Sequence, residues 1–156
     1  MNNLRIGLIG MGQWGRLFYT GLLEAPQVTV PAVASTNPNT QDLVTDVTAV
    51  FDDWQQMINE VALDAVVIAT PPACHVQMAV QALSQGLAVL LEKPMATSSR
   101  EADLIREAVI SGGRPFMVGH VHLHSAAFQE LKKCIGRAEP IREIVSVGGG
   151  WGPFRK

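Results

Sequence analysis

The sequence contains only two cysteines, and they do not form a familiar cysteine pattern. Cys74 and Cys134 lie far apart and lack the short spacing of metal-binding pairs. A disulfide framework uses more cysteines and is typical of small secreted domains. We therefore expect two reduced thiols, in the core or at the surface.

The sequence also lacks an excess of positive charge and a long apolar run. Its 12 Lys and Arg residues are balanced by 14 Asp and Glu residues, for a net charge of -2. Without a basic stripe, nucleic acid is not an expected partner. The chain does not open on a charged and then apolar leader, and no run approaches the length of a membrane span. The sequence predicts a cytoplasmic location and no membrane partner.

What is present indicates a globular chain with a large interior. Hydrophobic residues make up 47% and charged residues 17% of the 156 positions, and a chain of this length buries roughly two-thirds of its unfolded surface. Short apolar runs alternate with helical patterns, which predicts βαβ units and a doubly wound parallel sheet of the α/β class. Strands are expected at 4–9, 28–35, 47–51, 65–69, 87–91 and 116–118. Pro31 predicts an irregular start or a bulge in the second of these strands.

Helices are expected between these strands. Two of these helices are clearest. One, at 13–24, follows the first strand, and the other begins after Ser98, which forms a capping box with Glu101. In the latter helix the apolar spacing predicts an inward face. That face consists of Leu104, Ile105, Ala108 and Val109.

The first strand leads into a glycine-rich turn with G-x-G-x-x-G spacing. The turn consists of Gly10, Met11, Gly12, Gln13, Trp14 and Gly15. In a Rossmann-type unit the first glycine allows the tight turn, the second lets the backbone approach a pyrophosphate, and the third lets the helix pack closely on the strand. The following helix then presents unpaired N–H groups to the phosphates. The motif predicts a dinucleotide site in a Rossmann-type sheet.

The end of the second strand bears on which dinucleotide is bound. NAD sites usually have a carboxylate there for the ribose 2′-hydroxyl, but this chain has Ser35, Thr36 and Asn37, with no carboxylate before Asp42. Two hydroxyls and an amide could donate to a 2′-phosphate, although no arginine is adjacent in sequence. The pattern favours NADP over NAD. The alternative, that Ser35 and Thr36 are ordinary turn residues, stays open.

Two further turns follow strands of the predicted sheet. Glu92-Lys93-Pro94 follows the strand at 87–91, at the sheet edge where such folds bind ligands. Lys93 there could hydrogen-bond a substrate hydroxyl or carbonyl, or it could be a solvated turn residue; Lys93–Pro94 is also a candidate cis bond. Thr70-Pro71-Pro72, with His75, could shape the floor under a cofactor, or the prolines could simply end the strand.

Three histidines lie close together near the end of the chain. His120, His122 and His124 alternate, and on a strand they would share one face, which suggests a metal site. No carboxylate or cysteine completes a ligand set in this stretch. We therefore predict no metal, and a site-lining or surface role for these residues.

These motifs in order resemble one family. The glycine turn, Ala69-Thr70-Pro71-Pro72 followed by His75, and Glu92-Lys93-Pro94 together resemble the glucose–fructose oxidoreductase / inositol dehydrogenase (Gfo/Idh/MocA) family over residues 4–156. The resemblance implies an oxidoreductase that transfers a hydride between NAD or NADP and a sugar, polyol or related alcohol, with Lys93 as the catalytic residue. It places these residues at cofactor-lining positions: Met11, Gln13, Trp14, Ser35, Thr36, Thr70, His75 and Glu92.

The motifs and the resemblance together define the expected cofactor set. It consists of Gly10, Met11, Gly12, Gln13, Trp14, Gly15, Ser35, Thr36, Asn37, Thr70, Pro71, His75, Glu92 and Lys93. The chain departs from the family in two places: the family usually has an acidic residue at the position of Ser35, and an Asn and an Arg where this chain has Val121, His122 and Leu123.

The resemblance also implies a domain division. Residues 1–119 correspond to the NAD(P)-binding domain, and 120–156 to the beginning of an incomplete substrate and dimerisation domain. The chain therefore resembles a truncated oxidoreductase that is inactive alone. The strand expected at 141–147 would lack its sheet, which predicts either self-association through this segment or local disorder there. Self-association through the missing C-terminal domain is the other expectation. A non-enzymatic dinucleotide-binding module and an inactive paralogue are the alternatives.

Overall fold

A computed structural model describes residues 3–136, 142, 143 and 145. These residues divide between two compact units, 1–119 and 120–156. The strand expected at 141–147 lies outside the continuously described part. No helix among the described residues is long and apolar enough to span a membrane.

The first unit is a parallel sheet of seven strands with helices on both faces, which confirms the Rossmann-type prediction. The strand order is β4-β3-β1-β5-β6-β7, with β2 paired to β1. The strands are β1 Leu4–Ile9, β2 Val28–Thr29, β3 Ala32–Ala34, β4 Ala49–Phe51, β5 Ala65–Ile68, β6 Ala88–Leu91 and β7 Phe116–Val118. The helices are α1 Gln13–Glu24, α2 Trp54–Glu60, α3 His75–Ser84 and α4 Ser99–Gly112.

The segment around Pro31 is irregular, as expected. Val28–Thr29 and Ala32–Ala34 both pair with β1, but Val30 and Pro31 interrupt the ladder between them. Proline has no N–H to donate and therefore breaks a ladder where it occurs. A 3₁₀ helix, Pro38–Leu43, follows β3, and the Asn37 side chain caps it by accepting from the amide of Asn39.

Two hydrophobic cores lie on the two faces of the sheet. On one face α1 packs over β1 and β3, with Leu8, Val33 and Val67 buried there. On the other, α2, α3 and α4 cover a larger core that includes Met57 and Leu83. The strands between them are apolar on both faces, as parallel strands covered by helices must be.

The helix after Ser98 forms as the capping pattern predicts. The Ser98 hydroxyl accepts from the amide of Glu101, and the Glu101 carboxylate accepts from the amide and hydroxyl of Thr97. The inward-face prediction was wrong for Leu104, which is 48% exposed, whereas Ile105 is fully buried. Leu104 lies at the edge of the stripe that packs on α3 and instead borders an open groove with Val76 and Val80.

The second unit contains a 3₁₀ helix, Val121–His124, and α5, Ala126–Ile135. Ser125 caps α5 by accepting from the amide of Phe128. The strand geometry considered for the three histidines was therefore wrong, because a 3₁₀ helix does not place alternate residues on one face. No group of three metal-ligating side chains occurs anywhere in the described residues.

Candidate functional site

The glycine turn lies where the strand order of the sheet reverses. β1 is central, with β3 on one side and β5 on the other, and all three strands are parallel. The carboxyl ends of these strands therefore meet at one edge, with the turn between them. In open α/β sheets this crevice is where ligands bind.

Gly10 and Gly15 are required by the packing of the turn itself. Gly10 has φ +99°, and a Cβ there would lie 2.6 Å from the carbonyl oxygen of Ala69. A Cβ on Gly15 would lie only 1.9 Å from the carbonyl oxygen of Gly10. The first glycine thus permits the backbone bend, and the third lets α1 begin directly against the turn.

Gly12 differs, because protein atoms do not crowd it. A Cβ there would have no neighbour within 4 Å, and its φ of −70° suits any residue. Gly12 is also the N-cap of α1, where no side chain caps the helix and no acidic residue occupies the first turn. The open space beside Gly12 therefore faces uncapped N–H groups and the positive end of the helix dipole, an arrangement that suits a phosphate.

A cavity of about 540 Å³ opens at this edge of the sheet. Its size is in the range of small-molecule and cofactor sites. The turns after β1, β3, β4 and β5 all contribute to it. The lining residues are Ile9, Gly10, Met11, Gly12, Arg16, Ala34, Ser35, Thr36, Asn37, Asp52, Trp54, Ala69, Thr70, Pro71, Cys74 and Met78.

The polar residues after β3 have roles within their own turn as well as facing the cavity. The Ser35 hydroxyl oxygen accepts from the amide of Asn37 at 3.2 Å, and Asn37 Oδ1 accepts from the amide of Asn39 at 3.1 Å. Ser35 and Asn37 therefore each accept a hydrogen bond within their own turn. These hydrogen bonds do not exclude ligand binding, because the Ser35 hydroxyl hydrogen stays available and Thr36 is exposed.

Two charged residues that the sequence analysis did not select also line the cavity. Arg16 follows the third glycine on the first turn of α1, and Asp52 directly follows β4. No salt bridge joins Arg16 to a carboxylate in the described part of the chain. The available signal was their position, immediately after the glycine motif and immediately after a parallel strand.

The turn after β6 lies outside the cavity lining. The Glu92 side chain is buried, and its Oε2 accepts from the amide of Lys93 at 3.0 Å. The Lys93 side chain is exposed, with its ammonium 6.0 Å from the centroid of the Trp14 ring. A cation above an indole face at this distance is weakly attracted. The contact brings the Glu-Lys-Pro turn beside the glycine turn. The Lys93–Pro94 bond is cis.

His75 lies beneath the site and has no exposed surface. Its Nδ1 is 2.8 Å from the Pro94 carbonyl oxygen, and its Nε2 is 2.9 Å from that of Thr70. A neutral imidazole donates from one nitrogen only, so the tautomer decides which carbonyl receives the hydrogen. His75 therefore links the turn after β5 to the turn after β6.

The structure gathers part of the expected cofactor set around the cavity. The expected residues that line it are Gly10, Met11, Gly12, Ser35, Thr36, Asn37, Thr70 and Pro71. The others, Gln13, Trp14, Gly15, His75, Glu92 and Lys93, lie outside the lining. Gly15, His75 and Glu92 are buried, whereas Gln13, Trp14 and Lys93 are exposed beside the turn.

Comparison with known proteins identifies related sequences. Residues 4–120 match the model of the Gfo/Idh/MocA oxidoreductase family, with an NAD-binding Rossmann fold. Inositol 2-dehydrogenase 2 of Saccharopolyspora erythraea is 31% identical over 153 residues, which cover 90% of this chain and 44% of that protein. The NADP(+)-dependent scyllo-inositol 2-dehydrogenase IolU of Bacillus subtilis is 32% identical over 96 residues, or 62% of this chain and 29% of that protein.

A solved structure shows the same fold. Scyllo-inositol dehydrogenase from Lactobacillus casei, with bound NAD(H) and scyllo-inositol, superposes with a TM-score of 0.82 at 22% identity. The match covers 87% of this chain and 42% of that one. The chain therefore spans less than half the length of these relatives.

Proposed function

Because the chain belongs to the Gfo/Idh/MocA family of oxidoreductases, we propose that it binds NAD or NADP in the cavity at the glycine turn. The observation that carries this proposal is the open space beside Gly12, which faces the uncapped N-terminus of α1. The pyrophosphate would lie against the amides of this turn. The adenosine end would face Ser35, Thr36 and Asn37, after β3.

A matched pair of substitutions tests this proposal. A Cβ at Gly12 or at Gly21, both at α1, meets no atom within 4 Å, so both alanine variants are expected to fold. Gly12→Ala places a methyl group where the pyrophosphate would approach, and we expect its affinity for NADH and NADPH to fall at least tenfold, about 1.4 kcal/mol. Gly21→Ala should bind as the unchanged chain does. Titration calorimetry with both cofactors measures this, and equal affinity of all three proteins would overturn the proposal.

We further propose that Lys93 acts beside the nicotinamide and the substrate. The dinucleotide, when bound, supplies the hydride chemistry. The role of Lys93 would be to donate a hydrogen bond to a substrate oxygen and to handle its proton. Its exposure and its place beside Trp14, at the end of β6, support this role.

Chemical protection tests whether Lys93 lies beside the bound cofactor, and it does not require turnover. Saturating NADPH should slow the modification of Lys93 by an amine-reactive reagent, as followed by mass spectrometry. Lys132 and Lys133, on α5, serve as controls within the same molecule. Equal protection of all three lysines, or none at Lys93, would contradict the proposed placement.

The proposed substrate is a sugar, polyol or related alcohol, by analogy with the inositol dehydrogenases. We propose that residues 1–119 bind the dinucleotide and that residues 120–156 are the beginning of a substrate and dimerisation domain.

We expect this 156-residue chain to bind cofactor but not to turn over inositol at a measurable rate. Robust reduction of NAD+ or NADP+ by this chain would contradict that expectation. The cytoplasmic location stays a prediction from the sequence.

Among the two cofactors we propose NADP. The turn after β3 has hydroxyl groups and an amide where a carboxylate would repel a 2′-phosphate, and one relative, IolU, is named as NADP(+)-dependent. The affinities measured above, compared between NADPH and NADH, test this preference.

A further inference from the structure

We infer that Arg16 is the residue that selects NADP, by binding its 2′-phosphate together with Ser35 and Thr36. The inference rests on the proposed dinucleotide site and assigns a specificity-determining residue within it. Arg16 was not among the residues expected from the sequence, since it is far in the chain from the turn after β3. The structure places both at one cavity.

Arg16 lines the same cavity as the turn after β3. It is on the first turn of α1, where its amide donates to the Gly12 carbonyl at 3.0 Å, and it is exposed. No salt bridge within residues 3–136 engages its guanidinium. A guanidinium is always charged and presents a planar set of donors that matches phosphate oxygens.

The turn after β3 provides complementary donors rather than a competing charge. The Ser35 oxygen accepts from the amide of Asn37, so its hydroxyl hydrogen can still be donated to a ligand in the cavity that Ser35 lines. Thr36 is exposed at the cavity. A 2′-phosphate at this place would meet hydroxyl donors from β3 and a cation from α1.

Asp52 lies in the same cavity and could favour the opposite cofactor. It is the one carboxylate among the lining residues, and it follows β4, which pairs with β3 so that the Ser35 amide donates to the Phe51 carbonyl at 2.8 Å. A carboxylate there could instead accept a hydrogen bond from a ribose 2′-hydroxyl and favour NAD. Arg16 and Asp52 thus lead to opposite cofactor preferences, and we assign the deciding role to Arg16. A guanidinium together with the hydroxyl donors of Ser35 and Thr36 matches a phosphate, and Arg16 shares the cavity with both.

Substitution of each charge separates the two outcomes. We expect the unchanged chain to bind NADPH at least tenfold more tightly than NADH. In Arg16→Leu, NADPH affinity should fall roughly tenfold to a hundredfold, as for loss of a charge-assisted hydrogen-bond pair, with NADH affinity changed less than about threefold. Arg16→Lys should keep part of the preference. Arg100→Leu, on α4 and outside the cavity, is the matched control.

Adenosine 2′,5′-bisphosphate and ADP isolate this contact from the nicotinamide end. The first should bind more tightly than ADP to the unchanged chain, and this difference should disappear in Arg16→Leu but not in Asp52→Asn. If NADH binds as tightly as NADPH, or if Asp52→Asn alone changes the preference, the inference is overturned while the dinucleotide site stands. If neither cofactor binds, the proposed function fails, and this inference fails with it.

Discussion

At the scale of single residues, the glycines of the turn differ in whether packing or ligand binding requires them. Gly15 is required by its neighbours, since a Cβ there would overlap the Gly10 carbonyl oxygen at 1.9 Å, whereas Gly12 has open space beside it. Glycine is therefore required for packing at one position of the motif and for the approach of a ligand at the other. Substitution of Gly15 should lower stability as well as cofactor affinity, whereas substitution of Gly12 should lower only cofactor affinity.

Gly15→Ala should lower both stability and cofactor affinity. The added methyl group must displace α1 from the turn, and overpacking of this kind costs about 1–3 kcal/mol of unfolding free energy. Gly21→Ala lies in the middle of the same helix, where a Cβ meets no neighbouring atom. It should instead raise stability by about 0.5–1 kcal/mol, because glycine is the poorer helix former. Urea denaturation measures both. A neutral Gly15→Ala would show that the turn is less tightly packed than described.

The Arg5–Asp64 pair gives the stability a specific pH dependence. The Arg5 guanidinium and backbone amide hydrogen-bond the Asp64 carboxylate, which lowers the pKa of Asp64 from 3.8 to about 2. A carboxyl whose pKa is lower in the folded state contributes stability above its unfolded pKa and loses that contribution as the pH falls through the folded pKa. The contribution should therefore be complete above about pH 4 and should disappear towards pH 2.

Asp64→Asn isolates this contribution. Between pH 5 and pH 2, the urea midpoint of the unchanged chain should fall more steeply than that of the variant. The pKa of Glu101 is also lowered, by hydrogen bonds from Thr97, but that group is present in both proteins and cancels in the difference. Parallel pH profiles of the two proteins would contradict the predicted role of the pair.

At the scale of elements, α4 shows how narrow the buried stripe of a surface helix is. Four apolar residues occupy the face predicted to point inward, yet only Ile105 is fully buried, Ala108 and Val109 are partly buried, and Leu104 is 48% exposed. The helix packs on α3 with a stripe centred on Ile105, so a residue at the margin borders the open groove. The apolar periodicity predicts the helix and the face that points inward, but not how many residues of that face are buried.

The two neighbouring residues should differ sharply when truncated. Ile105→Ala removes fully buried atoms and leaves a cavity, and we expect a loss of about 2–5 kcal/mol in unfolding free energy. Leu104→Ala removes a half-exposed side chain and should change stability by less than about 1 kcal/mol. Thermal or urea unfolding measures both. Similar losses for the two variants would place Leu104 in the core after all.

At the scale of the whole molecule, the described residues of each unit expose apolar side chains. In the first unit a groove of about 230 Å³ lies on the α1 face of the sheet, lined in part by Leu22, Leu90 and Met117. In the second, α5 exposes Phe128, Leu131 and Ile135 by 36–52%. Contiguous apolar surface of this kind favours association.

We expect the chain to self-associate, and we propose 141–147 as the contact. This segment lies outside the continuously described residues, and its β-branched residues Ile141, Ile144, Val145 and Val147 are typical of a strand. Sedimentation velocity over a range of concentrations should show oligomers. Val145→Lys, within the segment, should restore the monomer, whereas Leu131→Lys, on α5, should not. A monomeric unchanged chain would contradict self-association, and a reversal of the two variants would assign the contact to α5.

The sequence by itself determined the sheet, the glycine turn and the strand ends that carry the site. Each depends on neighbours in the chain: the apolar run of a covered parallel strand, the Gly10–Gly15 spacing, and the Ser98 cap of α4. It also indicated the irregularity at Pro31 and the cis bond before Pro94. These features are local, and local patterns are what a sequence displays directly.

The tertiary structure alone decided which distant side chains meet. Arg16 and Ser35 line the same cavity because α1 begins and β3 ends at the same edge of the sheet, and His75 reaches Pro94 because β5 and β6 are neighbours. Lys93 lies over Trp14 for the same reason. Such meetings depend on strand order and on the direction of each side chain, which no spacing along the chain specifies. The glycine turn indicates a phosphate site, but the charges that surround it come from the fold.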